Sequence, residues 1–325
     1  MTDNEMIRVG IIGGAGYTAG ELIRLLLNHP SVRLEFINSE SNAGNPLSDV
    51  HEGLIGETEM RFTDKIPLDR VDCLFLCSGH GRSREFWATH PLPDHLKVID
   101  LAQDFRDESD GYVYGLPELN LERISSARRV ANPGCFATAI QLALLPLAAN
   151  GLLNSEVHVT GVTGSTGAGV KPGATTHFSW RDNNMSVYKV FSHQHLLEIR
   201  RSLQQLQPST EADIAFIPMR GDFPRGIFVT AYLDSDLTED EALRLYHDYY
   251  REAAFTFVAD RQIDLKQVVN TNKALVHVEK HGDRLLILSC IDNLLKGASG
   301  QAVQNMNIIF GLDQNEGLKL KPSAF

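Results

Sequence analysis

The sequence predicts an α/β protein: a Rossmann-type, doubly wound parallel nucleotide-binding domain joined to an α+β domain with a mixed, largely antiparallel sheet. Three observations carry this. Over the first ~130 residues, short runs rich in β-branched residues alternate with helix-patterned stretches, the mark of a parallel sheet covered by helices. The first run, "MIRVGII", leads through a glycine-rich turn into a helix. The second half instead carries longer runs, "ADIAFIPMRGDFPRGIFVTAYL" and "ALVHVEKHGDRLLILSCI", which suggest antiparallel pairing.

Each element follows from its local pattern. After "MIRVGII" and the turn "GGAGYTAG" comes "ELIRLLLNHP", where Leu22, Leu25 and Leu26 have helical spacing. "VRLEFINS", "VDCLFLCS" and "LKVIDLA" read as further buried strands, with a helix in "GRSREFWATHP" between the last two. "FATAIQLALLPLAAN" is apolar enough for a largely buried helix. Further on, "HGD" between two alternating runs predicts a hairpin turn. "TEDEALRLYHDYYREAAF" predicts an amphipathic helix with Thr238 as N-cap and Glu241 closing a capping box. "GASGQAVQNMNIIFGL" predicts a glycine-rich turn and a final helix.

Composition bounds the function. A chain of 325 residues suits roughly two domains of about 150 residues each. With 43% hydrophobic and 22% charged residues it reads as an ordinary globular protein. A net charge of −11 without runs of Lys or Arg argues against a nucleic-acid partner, while leaving room for a local basic pocket. The cysteines, Cys73, Cys77, Cys135 and Cys290, form no C-x-x-C pair and no disulfide framework, so a reducing compartment is expected. The N-terminus "MTDNEMIRVG" lacks a basic region and an apolar core of signal-peptide length. No run approaches about 18 apolar residues. The expectation is a cytoplasmic protein with no membrane partner.

The first glycine loop is a candidate dinucleotide cradle. Gly13 makes the turn, Gly16 lets backbone approach a pyrophosphate, and the helix start supplies N–H donors. The candidate contacts run through Gly13, Ala15, Gly16, Tyr17, Thr18 and Ala19. After the second strand, Ser39, Ser41 and Asn42 offer neutral hydrogen-bonding groups for a ribose 2′-phosphate, whereas Glu40 suits NAD. Both nucleotides stay open at this point.

Residues 131–139, "ANPGCFATA", place a cysteine directly after turn residues and at the start of an apolar helix. Pro133 and Gly134 shape the turn. A helix N-terminus favours a thiolate, so Cys135 is a candidate nucleophile beside the plainer reading of a packing cysteine. "GSTGAG", with Ser165, Gly167 and Ala168, offers a second phosphate or oxyanion cradle. "SHQHLLEI" supplies His193 and His195 as candidate bases and Glu198 to orient the ring. His177 is the only other nearby histidine and has no ligand spacing, so no metal is expected. Arg106, Arg220 and Arg225 stand in loop-like places, and a planar guanidinium suits carboxylate or phosphate. Arg225 in "FPRG" is the strongest of the three.

Taken together, "GAGYTAGEL", "DLAQDFR", "YGLPEL", "NPGCFAT", "GSTGAGVKPG", "HQHLLEI", "FPRGI" and "DNLLKGASGQAVQNMN" resemble the N-acetyl-γ-glutamyl-phosphate reductase family, with a broader similarity to aspartate-semialdehyde dehydrogenases. The match runs through essentially the whole chain in order. The resemblance implies Cys135 as nucleophile and the "HQHLLEI" segment as source of the base, with His195 first and His193 second. Leu197 stands where the family usually has proline, and Glu40 where many members have arginine or a neutral residue. The resemblance also implies that the C-terminal helix returns to the nucleotide domain, bringing Asn293, Lys296 and Gly297 with its leading segment. The division expected is 1–134 with 301–325 for the dinucleotide domain, and 135–300 for catalysis, substrate and oligomerisation.

The implied reaction is NADPH-dependent reduction of N-acetyl-γ-glutamyl phosphate through a cysteine thioester, releasing the semialdehyde and phosphate, in arginine biosynthesis. NADP is the implied cofactor, with NAD open because of Glu40. Gly167, Ala168 and Asn293 join the cofactor contacts. Arg106, Asn132, Ser165 and Arg225 are the substrate-binding candidates. The partners are a small acyl phosphate, phosphate and further copies of the chain, as homodimer or homotetramer. Alternatives are reductases of aminoadipyl, aspartyl or N-succinylglutamyl phosphate. More distant ones are a cysteine hydrolase and a nucleotide-sensing module.

Overall fold

The structure, a computed structural model, describes residues 6–210 and 212–323. The expectation of no leader rests partly on residues 1–5, which lie outside the described residues. The chain divides into two units. One holds the chain up to Pro133 and Ala298–Lys319; the other holds Gly134–Gly297 and the last stretch from Leu320.

The first unit is built on a six-stranded sheet, all of whose pairs are parallel. Its strands are β1 (Ile7–Ile12), β2 (Val32–Asn38), β3 (Cys73–Leu76), β4 (Lys97–Asp100), β5 (Val113–Tyr114) and β6 (Arg129–Ala131), in the order β2-β1-β3-β4-β6-β5. A parallel sheet is covered on both faces, so its strands read as continuous apolar runs rather than alternating ones. All four residues of β3 are buried. Helices α1 (Tyr17–Leu26), α2 (Arg82–Thr89) and α3 (Pro117–Ser125) follow their strands. In α1, Ala19, Leu22, Ile23, Leu25 and Leu26 form the buried stripe. The short strands β5 and β6 were not legible in the sequence: two or three residues leave no periodicity to read. The last helix, α8 (Gly300–Ile309), belongs to this unit and packs on α1, α3 and β4.

The second unit opens with α4 (Cys135–Ala149), a helix buried almost all round. Pro146 lies inside it and has no N–H to give to the carbonyl of Leu142. The Tyr250 hydroxyl fills that role, donating to Leu142 O at 2.6 Å, and Tyr246 donates to Ala143 O at 2.5 Å. Both tyrosines lie on α7 (Glu239–Tyr250), whose start carries the expected capping box of Thr238 and Glu241. A seven-stranded mixed sheet supports these helices. Its strands are β7 (Val157–Thr163), β8 (Ser186–Val187), β9 (Ile214–Arg220), β10 (Ile227–Asp234), β11 (Thr256–Val258), β12 (Ala274–His281) and β13 (Arg284–Ile291). Their order is β11-β12-β13-β10-β7-β9-β8, with antiparallel pairing except at β11/β12 and β7/β9. The hairpin expected at "HGD" joins β12 to β13, with Gly282 at φ +58°. Two more helices complete the unit, the short α5 (Phe178–Arg181) and α6 (His195–Leu206).

The observed division departs from the expected one at the C-terminus. The chain from Leu320 falls with the second unit rather than the first. The cause is local: the Ser323 N–H donates to Val269 O at 3.3 Å, and Asn270 Nδ2 donates to Ser323 Oγ at 2.6 Å. Among the described residues, no helix is long and apolar enough to cross a membrane, and no group of three or more His, Cys, Asp or Glu could hold a metal ion.

Candidate active site

Cys135 is the first residue of α4. Gly134 caps the helix in an extended conformation, at φ −70° and ψ 153°. The strand leading in, β6, is followed by Asn132, which is buried. Its carbonyl accepts from Arg106 Nε at 2.9 Å, its Nδ2 donates to Ala298 O at 3.0 Å, and its Oδ1 accepts from Asn305 Nδ2 at 3.1 Å. Asn305 also donates to Gly115 O at 2.8 Å. The sequence reading missed Asn305, which sits in the quoted "QNMN" but carries no spacing signal of its own. Asn132 is thus the anchor of the turn into the cysteine, with both ends of its amide in use.

On the other side of the turn, the Gly134 N–H donates to Glu198 Oε2 at 3.0 Å. The other carboxylate oxygen lies 3.9 Å from His195 Nε2. A β-carbon added at Gly134 would overlap the His195 imidazole and stand 2.7 Å from Glu198 Oε1. Glycine is required here for space rather than for backbone freedom. Residues 295–299 form a π-helical turn, and a β-carbon on its Gly297 would stand 2.9 Å from Cys135 Cβ. The site therefore presses two glycines against its reactive side chains.

His193 and His195 have different surroundings. The His195 N–H donates to His193 Nδ1 at 3.2 Å. The His193 ring meets the rings of Phe136, Tyr188 and Phe216 edge-on, with centroids 5.6–5.7 Å away. Burial, then the charge of Lys189, pushes His193 down to about 4. It is a neutral acceptor that fixes the start of α6.

The arginines separate by partner. Arg225 is paired with Asp292 through Nε–Oδ2 at 3.1 Å and Nη2–Oδ1 at 3.2 Å. Asp292 is fully buried and also accepts the N–H groups of Asn270 and Leu294 at 2.8 Å. Arg106 is buried and spends its donors on Asn132 O and Leu101 O. Arg106 thus braces the backbone at Asn132 within the first unit, and Arg225 is held to Asp292 within the second. Arg220 is different. It ends β9 with its guanidinium over the Tyr188 ring, 4.7 Å from the centroid. Its Nε is buried without a hydrogen-bond partner.

The second glycine loop is tied down as well. Asn293 Oδ1 accepts from the Gly226 N–H at 2.8 Å, and Nδ2 donates to Thr166 Oγ1 at 3.0 Å. Thr166 Oγ1 in turn donates to Pro224 O at 2.6 Å. Asn293 therefore clasps the loop holding Ser165, Gly167 and Ala168 to the 224–226 turn.

In the first unit, the loop after β1 fits a dinucleotide pyrophosphate. Gly13 sits at φ +79°, and a β-carbon there would meet Ser78 N at 2.8 Å. Gly16, the cap of α1, has nothing within 4 Å of the place its β-carbon would take. That open space lies at the N-terminus of a ten-residue helix, beside Ala15, Tyr17, Thr18 and Ala19. His51, unnoticed in the sequence, holds the loop through its Nε2 on Gly14 O at 2.7 Å. After β2, Asn42 Nδ2 donates to Ser39 Oγ at 3.0 Å and Ser41 Oγ at 3.1 Å, while Glu40 is exposed. Arg61, also unread in the sequence, donates to Gly44 O of the same loop at 2.8 Å.

The comparisons with known proteins agree along the chain. The model for "Semialdehyde dehydrogenase, NAD binding domain" matches residues 8–127, and that for "Semialdehyde dehydrogenase, dimerisation domain" matches residues 135–293. A protein of Phocaeicola vulgatus named N-acetyl-gamma-glutamyl-phosphate reductase is 63% identical, over 98% of this chain and 100% of that protein. Proteins of the same name from Bacteroides thetaiotaomicron and Flavobacterium johnsoniae are 62% and 54% identical, again over 98% of this chain and their whole length. Among solved structures, aspartate semialdehyde dehydrogenase II of Vibrio cholerae, complexed with ASA, has a TM-score of 0.72 at 17% identity and covers 94% of this chain and 98% of that one. Aspartate semialdehyde dehydrogenase of Candida albicans, with NADP, has a TM-score of 0.70 at 14% identity, covering 94% and 98%. The likeness to those structures is one of fold.

Proposed function

Since this chain belongs to the semialdehyde dehydrogenase family, we propose that it reduces N-acetyl-γ-glutamyl phosphate to the 5-semialdehyde and phosphate, with Cys135 as nucleophile, in arginine biosynthesis. The observation that carries this reading is the cysteine on the first turn of a buried helix, with His195 and Glu198 packed against the glycine before it.

His195 takes the Cys135 proton, and the helix N-terminus favours the charge left on sulfur. The sulfur attacks the acyl carbonyl. Backbone N–H groups at the start of α4 face the oxygen on which charge develops. The carbon–oxygen bond to phosphate breaks, the leaving oxygen takes a proton from water, and a thioester remains. The reduced nicotinamide, when bound, supplies a hydride to the thioester carbon. His195 gives its proton to the tetrahedral oxygen and takes it back as the carbon–sulfur bond breaks. The aldehyde leaves and the thiolate is restored. Glu198 orients the imidazole, and His193 sets the backbone from which it projects. Arg106, Arg225, Asn132 and Asn293 are positioning residues in this reading, and Ser165 remains a substrate contact.

The cofactor is NADP. The Ser39–Asn42–Ser41 cluster offers uncharged donors, and Arg61 brings a positive charge to the same loop. Gly13 to Ala19 hold the pyrophosphate. The assembly is a homodimer or homotetramer through the second unit. Its segment from Phe178 to Leu197 exposes Phe178, Trp180, Met185, Val187, Phe191 and Leu197, an apolar load suited to covering by another copy. Four free cysteines fit a reducing, cytoplasmic setting.

The test runs the reaction backwards, following reduced nicotinamide from N-acetylglutamate semialdehyde, phosphate and either NADP or NAD. Reduction that requires phosphate and prefers NADP supports the reading. Reduction without phosphate, or no reduction with either nucleotide, refutes it.

A further inference from the structure

Two arginines of the second unit stand together, the Arg181 guanidinium donating to the Arg220 carbonyl at 2.7 Å. Arg181 is buried, at 5% exposure, and Arg220 is half-buried. Arg181 donates to the carbonyls of Thr175, Asn184 and Arg220 and to Ser186 Oγ, so its own carbonyl partners lock it in place. Neither guanidinium forms an ion pair among the described residues, and the Nε of each is buried without a hydrogen-bond partner. Burial and then the neighbouring Arg220 charge disfavour the charged form of Arg181, and Asp222 favours it. Holding like charges together, partly out of water, is costly unless an anion joins them.

The position says which anion. Arg220 is stacked on Tyr188, 4.7 Å from the ring centroid. The Tyr188 phenol lies near enough to Cys135 to be raised by its negative charge as well as by burial. Tyr188 also borders His193. Arg220 is thus joined through the Tyr188 ring to the His193 side of the site. An acyl carbon at the sulfur puts its departing phosphate beside the start of α4. In a γ-glutamyl chain three carbons separate the acyl carbon from the α-carboxylate carbon, so the partner of that carboxylate stands away from the sulfur. Arginine bonds a carboxylate through two parallel N–H groups.

Resting on the proposed acyl-phosphate reduction, we propose that Arg220, seated on Tyr188 and backed by Arg181, binds the non-reacting carboxylate of the substrate and so selects amino-acid-derived chains. Arg225 and Arg106 do not bind it, because their donors are already spent on Asp292 and on backbone carbonyls.

The reverse reaction separates the two anions, since carboxylate and phosphate arrive on different molecules. Arg220→Met and Arg220→Lys are compared with wild type for the KM of semialdehyde, the KM of phosphate and the Kd of NADPH. Met is expected to raise the semialdehyde KM about 10- to 100-fold, the value of a charge-assisted pair, and Lys less, with the other two constants unchanged. As a second arm needing no variant, 4-acetamidobutanal, which lacks the carboxylate, loses a similar factor on wild type. It loses nothing further on Arg220→Met. A rise in the phosphate KM instead, an unchanged semialdehyde KM, or an analogue as good as the semialdehyde overturns the proposal. If wild type forms no reduced nicotinamide from semialdehyde and phosphate, the underlying reaction is what fails, not the assignment of Arg220.

Discussion

The imidazole of His195 occupies the space a β-carbon on Gly134 would need, so the candidate base and the residue before the candidate nucleophile are in direct contact. Gly134 has φ −70°, which any residue adopts. Alanine there changes no backbone preference and displaces His195 and Glu198. Gly134→Ala is expected to fold with a lowered Tm, because the added carbon crowds two buried side chains, and to lose about 100-fold in kcat, as misplacement of reacting groups by about 1 Å does. A normal kcat in that variant removes His195 from the chemistry.

His193 and His195 are separable by pH. His193 is held at about 4, below the ordinary histidine value of 6.5. The neutral ring is the one the fold accommodates, so its contribution to stability is present above 6.5 and lost as pH falls through about 4. His193→Asn keeps an acceptor for the His195 N–H and should flatten the loss of Tm between pH 6.5 and 4. It should leave the shape of the kcat profile above pH 6 unchanged. His195→Asn should lower kcat by about 100-fold or more and change that profile.

Gly13 and Gly16 predict opposite failures. Gly13→Ala meets both a positive φ and the Ser78 backbone, and should cost about 1–3 kcal/mol of stability. Gly16→Ala points a methyl into open space. It should melt like wild type and lose NADPH affinity in an equilibrium fluorescence titration. Equal binding by Gly16→Ala and wild type takes the pyrophosphate away from this loop.

Much of this was legible in the sequence, and the exceptions have physical causes. The capping box of Thr238 and Glu241, the β12–β13 turn and the helix beginning at Cys135 are local, so a few residues specify each. The roles of the arginines are not local. Arg225 in "FPRG" and Arg220 in "PMRG" look alike in the chain, but only a fold brings Asp292 to one and Tyr188 to the other. His51 and Asn305 escaped notice for the same reason, since their partners Gly14 and Asn132 are far away in sequence. The tail from Leu320 was expected with the dinucleotide domain, whereas Ser323 is bonded to Val269 and Asn270 of the second unit, partners no local pattern announces.

Arg225 should behave as structure. Removing the arginine leaves the buried Asp292 without its cation, held only by backbone N–H groups. Arg225→Met is expected to lose about 3–5 kcal/mol in chemical denaturation. A variant as stable as wild type returns Arg225 to the list of substrate ligands.

The most direct test is to mix the enzyme with N-acetyl-γ-glutamyl phosphate without any dinucleotide, and to measure intact mass together with released phosphate. The account predicts one N-acetylglutamyl group per chain, located on Cys135 by peptide mapping, and a matching burst of phosphate. Cys135→Ser should give neither while still binding NADPH. Phosphate release without a covalent adduct, or an undiminished burst from Cys135→Ser, contradicts the thioester route.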